Sequence, residues 1–267
     1  SCPTEVRRFR QRLAQEYQPT IEEIQHNVIH GPLLHADETT AKVRGFSSPY
    51  VWVFTNMDSV FYAFKPTREA GFLKKLLQGF SGVLVSDFYS GYDSLLCPQQ
   101  KCLLHLIRDL NDDLLKHQLN LEFKEMVIRF GKLVRLIIET VNRFGLKKRH
   151  LAKHNKDVEK FYRFIFKQEY ESSVAENYQQ RFQKYREKLF TFLNYNGIPW
   201  NNNNAEAAIK PFASYRREAG VAFSEAGLQE YLTLLSIQQT CKYRGLNFLE
   251  FLKSKEKSID VYTKKVS

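Results

Sequence analysis

The 267-residue chain carries 40 Lys and Arg against 29 Asp and Glu, a net charge of +11, with 43% hydrophobic residues and a pI of about 9.4. That apolar content excludes a disordered chain, and the absence of any apolar run near about 20 residues excludes a membrane-spanning helix. The excess of positive charge favours a polyanionic partner, because each phosphate contact releases counterions.

Four cysteines, Cys2, Cys97, Cys102 and Cys241, form no Cys-x-x-Cys pair. They are too few for a disulfide scaffold of this length and point to a reducing cytosol. The N-terminus lacks the apolar core of a signal peptide. It begins Ser1-Cys2-Pro3 without a methionine, which reads as a fragment with an upstream part missing.

Residues 4 to about 27 mix apolar and charged positions at helical spacing, with a break at Pro19, and predict one or two helices. From Leu33 the texture turns to β. Leu33–Asp37, Tyr50–Thr55 and Ser59–Phe64 are short, rich in β-branched and aromatic residues, and separated by turn-forming segments. They predict three antiparallel strands. Glu69–Gln78 has helical spacing, and after the turn at Gly79–Gly82 the run Val83–Ser86 predicts a fourth strand, parallel to the first, that ends at Asp87. This succession is the beginning of a ribonuclease-H-like α/β fold with a mixed sheet.

Between Pro98 and Pro199 there is no proline, and glycine occurs only at Gly131, Gly145 and Gly197. Phe123, Met126, Val127, Phe130, Leu133, Val134, Ile137 and Ile138 follow a three-and-four alternation, so the block is helical. It concentrates basic side chains at Lys147–His150 and Arg181–Lys188. Asn203 or Asn204 can start a further helix with Glu206 in its first turn, which Pro211 ends or kinks. Ser224–Arg244 is a stronger helix with Gly245 at its C-cap, and the basic tail from Lys253 is expected to fray. The predicted organisation is a helical lead-in (1–30), the first part of an α/β core (31–106), a large all-helical insertion (107–196), the last part of the core with the Glu-bearing helix (197–252), and a basic tail (253–267).

Asp37 and Asp87 each follow a β-prone run, where open α/β sheets gather their ligands, and Glu206 adds a carboxylate from a helix. Three converging carboxylates are what a two-metal phosphoryl-transfer site needs, because hard divalent cations take oxygen ligands. Glu38 adjoins Asp37 but belongs to the opposite face of a continuing strand, and Asp93 suits a turn.

Together the motifs His35–Thr39 (HADET), Val85–Tyr92 (VSDFYSGY), Cys102–His105 (CLLH), Asn203–Phe212 (NNAEAAIKPF) and Ser214–Ser224 (SYRREAGVAFS) resemble bacterial DDE transposases of the insertion-sequence sixty-six family. The resemblance covers roughly residues 30 to 252. It implies a ribonuclease-H-like catalytic core with a helical insertion before the last acid. It also implies metal-dependent DNA strand cleavage and strand transfer at transposon ends, with two Mg²⁺ (or Mn²⁺) ions held by Asp37, Asp87 and Glu206. Cys102 and His105 match a Cys-x-x-His signature after the second acid, which places His105 either near the scissile phosphate or as a hydrogen-bonded core residue. Lys210, Arg216, Arg217 and Asn203 are the expected DNA contacts, with Lys210 also able to pair with Glu206, and Asn202 stands where the family more often has Asp. DNA is the expected partner, homo-oligomers on DNA the expected assembly, and the nucleoid in the bacterial cytoplasm the expected location. Two alternatives remain open: a ribonuclease-H-like nuclease or resolvase without joining activity, and an inactive DNA-binding remnant of a transposase.

Overall fold

The computed structural model describes residues 3–266, so Cys2 and the chain start lie outside the described residues. The chain forms two compact units: residues through Leu84, Tyr89–Cys97 and the stretch from Asn203 onward make one, and Val85–Phe88 with Pro98–Asn202 make the other. A five-stranded sheet has the order β3-β2-β1-β4-β5.

In the first unit, α1 (Pro3–Glu16) and α2 (Gln18–Ile29) precede the meander β1 (Leu33–Thr40), β2 (Tyr50–Thr55) and β3 (Val60–Lys65). The helix break falls at Tyr17 and not at Pro19, which sits in the first turn of α2. A proline is tolerated there because the first-turn N–H has no intrahelical acceptor. Both strand pairs are antiparallel, as expected, with Asp37 opposite Val53 and Val53 opposite Tyr62. A short helix, α3 (Gly71–Leu76), leads to β4 (Val83–Ser86). The Val83 N–H donates to the Pro32 carbonyl at 2.9 Å, so β4 begins beside the start of β1 and the two run in the same direction. Only glycine fits at position 82, where a Cβ would lie 2.6 Å from the Gly31 oxygen.

One expectation needs correction. Asp37 does not end its strand, since β1 continues three residues further to Thr40. The continuation Glu38-Thr39-Thr40 is polar, and its place in the sheet comes from pairing with Trp52, Val51 and Tyr50.

The two sheet faces carry different cores. Leu34, Ala36, Trp52 and Phe54 pack with Ile24 and Val28 of α2, and with Leu84 and Tyr92, on one side. On the other, Val51, Val53, Val60 and Tyr62 pack against α10 (Asn203–Ala219) and α11 (Glu225–Tyr243).

The second unit contains β5 (Gln99–Lys101) and six helices, α4 (Leu103–Lys116), α5 (Leu121–Phe144), α6 (Lys148–Leu151), α7 (Asn155–Lys167), α8 (Ser173–Lys184) and α9 (Arg186–Leu189). The expected face of α5 is the buried one: Phe123, Met126, Phe130, Leu133, Val134 and Ile137. Phe130 meets Phe161, Phe182 and Phe190 within 6.4 Å, an aromatic cluster that holds α5, α7 and α8 together.

Two further expectations fail. Pro211 does not end its helix, because α10 runs through it to Ala219. Burial of Ala208 before the proline and Phe212 after it on one core offsets the lost backbone bond. The C-terminal tail does not fray either. It forms α12 (Phe248–Ser254) and α13 (Ile259–Val266). The Glu23 carboxylate accepts from the Ser258 hydroxyl and the Ile259 N–H, both at 2.7 Å, and Ile259 is fully buried.

The edge strand β3 is protected by hydroxyls. Thr240 Oγ1 of α11 accepts from the Val60 N–H, and Ser236 Oγ accepts from the Tyr62 N–H, both at 3.0 Å. These groups would otherwise form an open template for another strand. Thr240→Val keeps the shape and leaves the Val60 N–H without its acceptor, so it should cost about 1–3 kcal/mol in urea unfolding. An unchanged midpoint would show that the hydroxyl does not guard this edge.

Candidate active site

The alternation of β1 settles which acid faces which core. Residues directly opposite one another in an antiparallel pair project to the same face. Asp37 therefore shares the face of Val53, which packs against Ala205, Ala208 and Phe212 of α10. Glu206 lies in the first turn of that helix, as the asparagine run predicts. The first and third expected carboxylates thus belong to one face of one sheet, within one compact unit.

Polar contacts fix the helix along the strand. At its start, Asn204 Nδ2 donates to Thr55 Oγ1 at 3.5 Å, and the Tyr243 hydroxyl donates to Asn204 Oδ1 at 2.9 Å. Thr55 is opposite His35. Near its end, Arg216 Nη1 donates to Thr39 Oγ1 at 3.1 Å, to Thr40 Oγ1 at 3.0 Å and to the Thr40 carbonyl. Between them, the Tyr62 hydroxyl donates to the Ala208 carbonyl. From Asn204 to Arg216 a helix rises about 18 Å, and from His35 to Thr40 a strand advances about 17 Å. The two elements match in length and run in the same sense. Glu206 and Asp37 each stand two residues beyond the Thr55 anchor.

Asp37 is half-buried, and its Oδ1 accepts the Glu38 N–H at 2.9 Å. Glu38 has a different environment. Its carboxylate, 1% exposed, takes Arg68 at 2.6 Å and the Tyr92 hydroxyl at 2.7 Å on the opposite face. Glu38 therefore secures the segment after β3 and the turn at Tyr92.

Beyond the end of β1, the late part of α10 borders a groove of about 620 Å³ lined by Lys42, Lys210, Ala213, Ser214, Arg216, Arg217 and Gly220. Four cations and no carboxylate line it. The expected DNA contacts Lys210, Arg216 and Arg217 meet there, and Lys42 is a member the sequence did not reveal. Its place comes from a single bridge, in which the Phe223 N–H donates to the Lys42 carbonyl at 2.8 Å and the Arg44 N–H to the Phe223 carbonyl at 2.9 Å. Asn203 is the exposed first residue of α10 and does not line the groove.

The remaining expected residues belong to the second unit. Asp87 is half-buried and follows the last residue of β4. His105 is half-buried in the first turn of α4, one turn after the fully buried Cys102. The Cys102 Sγ accepts the Asn202 N–H at 3.2 Å, which gives the thiol and the buried Asn202 a packing role. Lys101 was also hidden in the sequence. It is fully buried in β5, with Nζ 3.2 Å from the hydroxyl of Ser86, the residue before Asp87. A lysine in a three-residue polar strand carries no periodic signal.

The chain matches the Transposase IS66 family over residues 2–230 and belongs to it. It is 27% identical to "Uncharacterized protein y4qI" of Sinorhizobium fredii (strain NBRC 101917 / NGR234) over 89% of its own length. The match covers 49% of that protein, so the chain spans about half the length of this relative. No solved structure matches it.

The two adjacent acids of β1 separate by experiment. Glu38→Gln weakens the contacts to Arg68 and Tyr92 and should lower unfolding stability by roughly 1–3 kcal/mol, the range for a buried charged hydrogen-bond partner set against a half-exposed arginine. Asp37→Asn should stay within about 0.5 kcal/mol of wild type. The reverse order in urea titrations would overturn the division of roles.

Proposed function

We propose that the chain is the catalytic domain of a DDE transposase with a ribonuclease-H-like core, cutting DNA and joining strands at transposon ends. Asp37, Asp87 and Glu206 are the proposed catalytic carboxylates. The observation that carries this reading is the docking of the Glu206 helix on the Asp37 face of the sheet, with a carboxylate-free basic groove at the end of the same helix. The antiparallel β1–β2–β3 meander, with β4 running alongside β1, supports the fold assignment.

The donor set is made of carboxylate oxygens, which suits hard divalent cations. Asp37, Asp87 and Glu206 would hold Mg²⁺ or Mn²⁺, two ions in all, and such ions when bound neutralise charge at a phosphate and acidify an attacking hydroxyl. The chain's own residues do the rest. Arg216 and the Asn204 contacts fix the strand-to-helix register, so that Asp37 and Glu206 keep their relative placement without rearrangement. Lys42, Lys210 and Arg217 hold a DNA backbone through charge, a sequence-independent contact that orients the strand. His105, in the first turn of α4, is proposed to act beside the phosphate being cut, and Asn203 to touch the backbone at the exposed start of α10. Lys101 donates from Nζ to the Ser86 hydroxyl at 3.2 Å and so braces the residue that precedes Asp87. The whole protein is proposed to act as a homo-oligomer on paired ends in the bacterial cytoplasm.

Asp37→Asn, Asp87→Asn and Glu206→Gln should each lower Mg²⁺-dependent cleavage by about a hundredfold or more while duplex binding is retained. Mn²⁺ at a hundred times its dissociation constant should stabilise the wild type by about 2.7 kcal/mol, and this gain should vanish in Asp37→Asn. A variant that still cuts, or that keeps the full stabilisation by Mn²⁺, would remove that residue from the assignment. Transfer of a pre-cut end into plasmid DNA separates a transposase from a nuclease that only cuts.

For the groove, Lys42→Gln and Lys210→Gln should each weaken duplex binding about equally across sequences and reduce the slope of log affinity against log salt by about 1. Loss confined to one DNA sequence, or no loss at all, would contradict backbone holding there.

A further inference from the structure

The two basic runs of the helical unit have different fates. In the second, Arg181 pairs with Asp109 at 2.7 Å and Arg186 with Glu159 at 2.9 Å, so much of its charge is neutralised within the fold. The first forms a corner between α5 and α6. There Lys147, Lys148, Arg149 and Lys153 are all exposed, as is Arg143 one turn before the corner. Among the described residues none of the five has a carboxylate partner.

This corner is rigid. Gly145 ends α5 with a φ of 70°, a conformation that favours glycine. The Gly197 N–H donates to the Leu146 carbonyl at 2.7 Å, and Asn196 Oδ1 accepts the Lys148 N–H at 2.9 Å. The Phe144 and His150 rings stack at 4.3 Å and 15°, with the Arg143 guanidinium 5.1 Å from the Phe144 ring. The Arg149 guanidinium donates to His150 Nε2 at 3.0 Å, which holds that imidazole in its neutral form. Burial first, and then Arg149, Lys147 and Lys153, hold the His150 pKa below its usual value. The backbone of the corner is thus fixed, with Arg149 held against the histidine and Lys147, Lys148 and Lys153 exposed around it.

Between Pro98 and Asn202 there are 20 Lys and Arg against 12 Asp and Glu, so the corner adds a cluster of unneutralised charge to a basic unit. From this geometry we infer that the α5–α6 corner is a second, sequence-independent docking surface for the phosphate backbone of a DNA duplex, on the helical unit and apart from the groove along α10. Exposed cations on a fixed backbone suit the regular charge of a duplex, since the chain that carries them need not be ordered on binding. An exposed apolar anchor, as a membrane surface would demand, is lacking at the corner, where Phe144, Leu146 and His150 are half-buried. The inference takes from the proposed function only the choice of DNA as the polyanion.

The experiment compares whole chains by fluorescence anisotropy on a random-sequence duplex, without divalent metal so that cutting does not enter. One variant carries Lys147→Gln, Lys148→Gln, Arg149→Gln and Lys153→Gln. A control removes the same charge from elsewhere on the unit, with Lys124→Gln, Lys132→Gln, Arg163→Gln and Lys167→Gln. Circular dichroism melts confirm that both are folded. The corner variant should lose roughly tenfold or more in affinity, with a salt slope shallower by about 3 to 4, while the control stays near wild type. A corner variant that binds like wild type, or a control that falls as far, overturns the docking surface and leaves the cutting assignment standing. A wild type that binds no duplex overturns both, and binding to anionic lipid vesicles in preference to duplex overturns the choice of partner.

Discussion

The structure of the proposed site depends on one packing arrangement, the laying of α10 along the Asp37 face of β1 and β2. Ala205, Ala208 and Phe212 supply the apolar contact. Small residues at two of those three positions let the helix that carries Glu206 in its first turn lie close to the sheet. Hydrophobic contact alone would permit sliding. The Asn204 contact at one end and the Arg216 contacts at the other remove that freedom. The whole helix is then a ruler that reports position 206 to position 37.

The same element joins the proposed cutting site to the proposed DNA-holding groove. Residues on its first turn carry acid, and residues from Lys210 to Arg217 carry base, so a single rigid body presents a negative end and a positive end along one strand. Arg216 belongs to both arrangements, since it ties the helix to Thr39 and Thr40 and also lines the groove. Charge neutralisation along a groove stabilises any polyanion, and in the proposed function the carboxylates act on it.

Much of this was legible in the amino-acid order because it rests on local signals. The β-branched and aromatic run of Tyr50–Thr55 and the three-and-four spacing of α5 are written in consecutive residues, and Ser224 starts its helix as a cap, accepting the Gly227 N–H at 3.2 Å. The separation of Asp37 from Glu38 follows from strand geometry once β1 is recognised. What escaped was non-local. Lys42 joins the groove through a bridge to Phe223, 181 residues away. Ser236 and Thr240 look like ordinary polar positions of a helix, and only the edge of β3 gives their hydroxyls a purpose. Pro211 carries a strong local signal that tertiary packing overrides. The polar composition of the tail suggests a loose end, whereas distant partners hold it: Glu23 at Ser258 and Ile259, Asn27 and Arg244 at Asp260, and Thr20 at the Lys257 carbonyl.

The central claim is that Asp37 and Glu206 serve the same divalent ions. Crystals soaked in Mn²⁺ and measured at the manganese absorption edge test it most directly. The account predicts anomalous density within about 2.0–2.3 Å of carboxylate oxygens from both Asp37 and Glu206. Manganese bound by one of these residues without the other, or bound only elsewhere, would contradict it.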